Sequence, residues 1–339
     1  MSLSLEPAAE RAPKVVRHSD GAMRKFLNVN RASIGTLAVF VVMIGIFAAA
    51  NPTVFLHWPI YSSVLVTLPV ALCLVVPLVF IVTVGEIDLS FPATMGFSAW
   101  IFALVVQAGY SPFLGIAGAV VTGMALGYAV GALVVLAGLS SLIATLGMNY
   151  MLRGLILIVT QGKSIALLQL QDTTAATLLS TDLFGVPVQV FWALAFVVFA
   201  GVLFNHHRFG ARVKAAGDNP DSASQMGINV NNVRIATYVF MGVGAALAGV
   251  LSTMVNFTWW PTTGDGYLLP AIASVFVGGT PTWGGVGTVA GGAIGALIVS
   301  FIQSGIVAAG LSGFYVQFFN GLIIILSLIG HRWNQRRFR

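Results

Sequence analysis

The sequence predicts an all-α, polytopic membrane bundle of about ten helices, and three observations carry that reading. Of 339 residues, 58% are hydrophobic and only 8% are charged, about a third of the charge density of a soluble domain. Mean hydropathy is +0.94. The apolar residues form continuous runs rich in Leu, Val, Ala and Gly, and several reach the roughly 18 residues needed to cross about 30 Å of hydrocarbon. A membrane β-barrel would alternate apolar and polar residues, so helices, which satisfy their own backbone groups, are the spanning elements. This composition excludes a soluble enzyme.

The apolar segments lie at residues 33–50, 62–84, 91–109, 113–137, 141–160, 187–204, 234–257, 268–280, 287–309 and 314–330. Charge then sets their direction, because Lys and Arg accumulate on the cytoplasmic side. Six basic residues precede the first span (Arg11, Lys14, Arg17, Arg24, Lys25, Arg31). Four sit in or beside the loop at 205–233 (Arg208, Arg212, Lys214, Arg234), and four close the chain (Arg332, Arg336, Arg337, Arg339). Both termini and this loop are therefore expected in the cytoplasm. That requires an even number of crossings, six of them before residue 205. Ten crossings satisfy both conditions, and they make the short stretch at 268–280 a crossing or a broken helix buried in protein.

Residues 1–32 carry charge without an apolar core, the wrong order for a cleaved signal peptide, and read as a polar cytoplasmic tail. Residues 33–330 form the transmembrane domain, with the cytoplasmic loop at 205–233, and residues 331–339 a basic cytoplasmic tail. The net charge of +6 follows from the same juxtamembrane bias. It suits an anionic inner leaflet and is no sign of nucleic acid, because the basic residues do not gather on one folded face.

The chemistry that the chain lacks is equally informative. Ionisable groups at bilayer depth are costly and conspicuous. His18, His57, His206, His207 and His331 all fall in tails or loops, and of ten acids only Glu86 and Asp88 stand beside a span. No metal site or proton relay is expected, and a proton-driven carrier is disfavoured. The single cysteine, Cys73, lies within a span and reads as packing. Gly162-Lys163-Ser164 ends like a P-loop, but Leu157 stands where the leading glycine belongs and no strand precedes it. Gly285-Val-Gly287-Thr-Val-Ala290 matches a dinucleotide fingerprint in letters only. The spacings Gly287, Gly291, Gly295 and Gly123, Gly127, Gly131 suit close helix crossing instead. Motive force must come from another chain or from an ion gradient.

Four segments carry the positive information. In Gly85-Glu-Ile-Asp-Leu-Ser90, Ser90 is placed to cap the next helix and Pro92 suits its first turn. Thr145-Leu-Gly-Met148 with Arg153-Gly154 puts an arginine in an apolar helix, where an uncompensated charge costs at least ~2.5 kcal/mol. Arg153 therefore either reaches the interface or lines a polar cavity. In the loop Ala215 to Asn229, Asp218 or Asn219 caps a helix opening at Pro220 and Gly227 ends it. Ala223, Met226 and Ile228 give that short helix a small apolar surface, suited to a groove on another protein; interfacial anchoring is the alternative. Finally, Val277-Gly-Gly-Thr280 through Trp283-Gly-Gly-Val-Gly287 breaks the late spans with glycines and Pro281.

On these motifs, residues 35–330 resemble the permease subunits of bacterial ATP-binding-cassette importers for ribose, xylose, galactose, inositol and related sugars. The resemblance rests on Gly85-Glu-Ile-Asp-Leu-Ser90, with Glu86, Asp88 and Ser90 as motif residues, and on Thr145-Leu-Gly-Met148 with Arg153-Gly154. It rests also on Gly217-Asp-Asn-Pro with Gly227-Ile-Asn-Val230, and on Gly278-Gly-Thr280 with Gly284-Gly285. It implies a ten-helix inner-membrane permease paired with a second copy, identical or not. A periplasmic binding protein would supply a sugar or polyol, and a separate cytoplasmic ATPase would hold the ATP and magnesium, with no cofactor in this chain. Gly217, Asp218, Asn219, Pro220, Ser222, Ala223, Gln225, Gly227 and Ile228 would couple to that ATPase. The family commonly has glycine where this chain has Glu86, and Val-Gly-like residues in place of Phe91-Pro92, so the substrate does not carry across. Related permeases for branched-chain amino acids or nucleosides have a first motif less like Ile87-Asp88-Leu89-Ser90.

A path for a neutral sugar needs hydroxyl and amide partners. Gln107, Asn149, Tyr150 and Asn256 are candidates beside Arg153. The polar outer loop at 161–186 is a docking surface for a binding protein. The expected check on the coupling helix is Gly227 or Ala223 to Asp, which should spare insertion and uncouple ATP hydrolysis from uptake. A self-powered carrier is the competing reading, and transport by the chain alone in liposomes would favour it.

Overall fold

A computed structural model describes residues 31–337, and the expected tail at 1–32 lies almost wholly outside them. The helices, in chain order, are α1 (Arg31–Ala50), α2 (Pro52–Phe55), α3 (Trp58–Thr83), α4 (Phe91–Gln107), α5 (Pro112–Val135) and α6 (Ser141–Thr160). There follow α7 (Thr174–Ser180), α8 (Val188–Asn205), α9 (Arg208–Asp218), α10 (Pro220–Gln225) and α11 (Val230–Asn256). The last are α12 (Leu268–Val277), α13 (Val289–Ala308) and α14 (Gly313–Arg337). Strands are two residues long: β1 (Ile165–Ala166) pairs antiparallel with β4 (Thr258–Trp259), and β2 (Asp182–Leu183) with β3 (Val186–Pro187).

Each apolar segment read from the sequence contains a helix. Among the described residues, eight helices are long and apolar enough to cross a membrane; α4 and α12 are shorter. At 1.5 Å per residue, the ten residues of α12 rise about 15 Å, half a hydrocarbon layer. α14 continues to Arg337, so most of the stretch expected as a tail from 331 extends a helix.

The centre of the bundle is α3, whose residues from Leu68 to Thr83 are nearly all buried despite Pro69 and Pro77. Around it pack α8, α11 and α13. Phe80 of α3 meets Phe204, Phe209 and Phe240 in ring contacts. α5 and α11 make the most extensive helix pair among the described residues, through the glycine row read from the sequence. A Cβ on Gly123 would fall on the Gly242 carbonyl, and one on Gly127 on that of Tyr238. Gly291 and Gly295 serve α13 in the same way against Gly278 and Ser274, whereas Gly287 lies before that helix, its open side filled by Thr83 Oγ1.

Trp259 pins the strand after α11 to α4. It is fully buried and its Nε1–H donates to the Gly96 carbonyl at 3.0 Å. Trp259→Phe removes this second donor to the Gly96 carbonyl and opens a void, costing about 1–3 kcal/mol. Thermal unfolding in detergent is expected to show the loss.

Candidate translocation site

The helices that look shortest are completed by buried, non-helical chain. Between α3 and α4, residues 84–90 run without helix, and Glu86, Asp88 and Ser90 are buried. Tyr238 donates its hydroxyl to the Ile87 carbonyl at 3.2 Å. Tyr238 is eight residues into α11, about 12 Å along it, so this segment enters the bundle. Buried carboxylates require partners. Glu86 Oε1 is 3.2 Å from Arg234 Nε. Asp88 Oδ1 accepts from the Ser90 N–H at 2.7 Å and from the Ser90 hydroxyl at 2.6 Å. Ser90 occupies the N-cap position of α4, but its side chain makes no capping bond. The capping expectation is corrected: Asp88 closes a local turn on Ser90, and Pro92 in the first turn has no N–H to satisfy.

A second non-helical segment, 258–267, joins α11 to α12 and meets the first. A Cβ on Gly264 would fall on the Pro92 carbonyl, and one on Gly96 would lie 2.5 Å from the Thr263 carbonyl. Arg153 of α6 holds this segment. Its Nη1 donates to the carbonyls of Pro261 at 2.5 Å and Thr263 at 3.2 Å, and its Nη2 is 2.5 Å from Asp265 Oδ1. Arg153 takes neither of the two placements that the sequence left open: it turns inward, against protein, behind the wall of a cavity that it does not itself line.

That cavity, of about 770 Å³, lies between α3, α12 and α13 and is bounded by Asp265, Gly266 and Tyr267. Its polar wall comprises Ser63 and Thr67 of α3, Ser274 of α12, and Ser300, Gln303 and Ser304 of α13. Thr53, His57 and Pro59 line it as well. The signal for these residues was present as hydroxyls four apart, Ser63 with Thr67 and Ser300 with Ser304, on one face of each helix. Of the sequence candidates, Gln107, Tyr150 and Asn256 are exposed, and Asn149 is half-buried with an unpartnered Oδ1. Asn256 turns its amide onto the Ser252 carbonyl. None of the four lines the cavity, and the structure does not gather them.

At the end of the bundle bearing Arg208 and Arg212, α9 and α10 form a compact hairpin. Asn219 Oδ1 accepts from the Ser222 N–H at 2.9 Å, so Asn219 is the cap of α10, and Gly227 ends it at φ +79°. Asp218, Asn219, Pro220, Ser222, Gln225 and Gly227 are exposed and Ile228 is half-buried. Met226 is 70% exposed, but Ala223 is fully buried within this chain. Ala223 therefore contributes to packing, and Asp in its place would bury a charge; the expectation that such a variant folds normally is corrected. Lys214 lies 4.3 Å over the Phe204 ring, and burial holds its ammonium below the usual lysine pKa.

Gly217 joins this hairpin to the bundle. The Gly285 N–H donates to the Thr83 carbonyl at 2.8 Å. A Cβ on Gly217 would fall on that carbonyl, and one on Gly284 would lie 2.6 Å from the Gly217 carbonyl. Three backbones thus meet: the end of α3 leading into Glu86, the last turn of α9 at Gly217, and the glycine turn after α12. Among the described residues, no group of three His, Cys, Asp or Glu gathers to hold a metal.

Comparison with known proteins is consistent with this architecture. The model of the family described as branched-chain amino acid transport system / permease component matches residues 60–328. The chain is 30% identical to the ribose import permease protein RbsC of Escherichia coli (strain K12) over 304 residues, covering 87% of this chain and 92% of that one. It is 31% identical to the D-allose transport system permease protein AlsC of the same strain, covering 87% and 90%. Identity to the Bacillus subtilis (strain 168) ribose import permease is 31%, covering 92% and 94%. No solved structure matches. This multi-pass membrane chain, a transport component and not an enzyme, belongs to the branched-chain amino acid transport system / permease component family.

Proposed function

We propose that this chain is the permease subunit of an ATP-binding-cassette importer for a sugar or polyol, with residues 33–330 as its permease domain. The cavity carries the reading. Its lining is largely apolar with hydroxyls, one amide and His57 set into it, and its one acid among the lining residues is already paired, a surface that suits a neutral hydroxylated cargo. The ribose and allose permeases among its relatives support the same cargo class.

In this reading the arginine-bearing hairpin and both termini face the cytoplasm, ten segments cross, and the cavity opens outward. A separate ATPase binds the exposed face of α10 around Asn219, Gln225 and Met226, and ATP acts by moving that hairpin. Since Gly217 touches both Thr83 and Gly284, the movement reaches the buried segment 84–90 and the turn after α12, shifting the bundle between outward and inward openings. A second permease copy completes the pathway. A periplasmic binding protein docks on residues 161–186, where Phe184 stands 97% exposed at the tip of the β2–β3 hairpin.

The test is reconstitution of this chain with its ATPase and binding protein in proteoliposomes. Sugar-stimulated ATP hydrolysis with uptake is expected; transport by the chain alone would overturn the reading. Within that complex, Met226→Asp places a charge where an apolar contact with the ATPase is proposed. Uptake is expected to fall about tenfold or more with membrane insertion intact, as measured by radiolabelled sugar accumulation.

A further inference from the structure

Asp265 is the one carboxylate among the residues that line the 770 Å³ cavity. It sits between Gly264 and Gly266, both with positive φ (+97° and +87°), so its own backbone offers little to fix its direction. The fixing comes from another helix. Arg153 spends Nη1 on the carbonyls of Pro261 and Thr263 and Nη2 on Asp265 Oδ1. A guanidinium is a planar fork of five donors, so a single side chain sets the path of the segment and the orientation of its carboxylate together. The Arg153 side chain is 15% exposed while that of Asp265 is 55% exposed. The positive group is behind the wall and the negative group is on it.

A carboxylate has about four lone-pair positions, and the arginine faces only one of its two oxygens, as an ion pair through Nη2. The remaining oxygen is a strong acceptor on a wall whose other polar members are hydroxyls, the Gln303 amide and the His57 imidazole. Charge-assisted O–H···O⁻ bonds are short and about twice as strong as neutral ones. We infer that Asp265 reads hydroxyl groups of the cargo, and that Arg153 is the positioning residue that aims it. This rests on the sugar-permease reading and adds the residue that discriminates among hydroxylated cargoes. A site built to accept from a hydroxyl rejects the analogue lacking it, because the acceptor is then desolvated and unpaired.

The experiment uses the full complex in proteoliposomes, with D-ribose, D-allose and L-arabinose as probes, each beside an analogue with one hydroxyl removed. The readout is the ratio of uptake of each sugar to that of its deoxy analogue. Because the same binding protein serves every variant, its own selectivity cancels, as does the amount of active permease. For at least one sugar, the wild-type ratio is expected to exceed that of Asp265→Asn by about tenfold. Arg153→Leu is expected to lose the discrimination likewise, and Arg153→Lys to restore part of it, which a merely structural arginine would not do. Should Asp265→Asn fail to assemble, Asp265→Glu replaces it, keeping the charge but displacing it, with an expected ratio between the two. Equal ratios for wild type and the Asp265 variant overturn the inference and leave the permease reading standing. A wild-type complex in which no sugar or polyol is taken up or stimulates ATP hydrolysis overturns both.

Discussion

Gly217→Val is expected to abolish uptake by the assembled transporter and to destabilise the permease by about 2–6 kcal/mol, the sum of a broken buried hydrogen bond and an overpacked joint. The reason is position. Any Cβ at 217 falls on the Thr83 carbonyl and lies 2.7 Å from the Gly285 nitrogen, the two atoms that bond each other at 2.8 Å. The substitution therefore wedges apart the one place where the α9–α10 hairpin, the end of α3 and the turn after α12 share backbone contact. Gly227→Ala is the control. Gly227 also lies in the same loop, but nothing is within 4 Å of its open side, so alanine there pays only the left-handed backbone penalty of about 1–2 kcal/mol. Thermal unfolding in detergent and radiolabelled uptake are measured on both. Uptake by Gly217→Val equal to that of Gly227→Ala would refute the joint.

The second large effect is expected at the crossing of α5 and α11. Gly242→Leu drives a side chain into the Gly123 carbonyl, and the contact is reciprocal, since a Cβ on Gly123 would fall on the Gly242 carbonyl. Without a hydrophobic force between helices in lipid, close backbone packing is what holds such a pair. A leucine there separates the two helices over several turns, and the expected result is loss of monodisperse protein from detergent extracts. The smaller pair Gly123→Ala and Gly242→Ala tests the mechanism quantitatively. Each single change is expected to cost about 1–3 kcal/mol. The double change is expected to cost less than their sum, because helices already forced apart accommodate the second methyl. Additive losses in a thermal double-mutant cycle would show that the two glycines act independently.

The parts of this molecule that were legible in the sequence are those governed by local rules. Continuous apolar runs located every long helix, glycines at four-residue spacing marked the α5–α11 crossing, and Asn219, Pro220 and Gly227 delimited α10 through capping and backbone conformation. What the sequence concealed depends on contacts between distant residues. Segments 84–90 and 258–267 look like loops because their backbone is not helical, yet both are drawn into the bundle. Arg153 announced that it needed a partner, but that partner, Asp265, is 112 positions away in a stretch with no periodicity. Ala223 looked available for a partner protein because an apolar residue on a short polar helix reads as exposed; its own chain covers it. The cavity's hydroxyls had the right spacing on each helix, but nothing local says that three helices turn those faces toward one another.

The two-rung ladder of Ile165–Ala166 with Thr258–Trp259, extended by the Leu167 N–H bonded to the Phe257 carbonyl at 2.8 Å, has a mechanical consequence. It stitches the base of the 161–186 surface to the strand that leads directly into Asp265. If a binding protein docks on residues 161–186 as proposed, its pressure is carried by this ladder to the chain that bears Asp265, so that docking and admission of cargo would be one mechanical event.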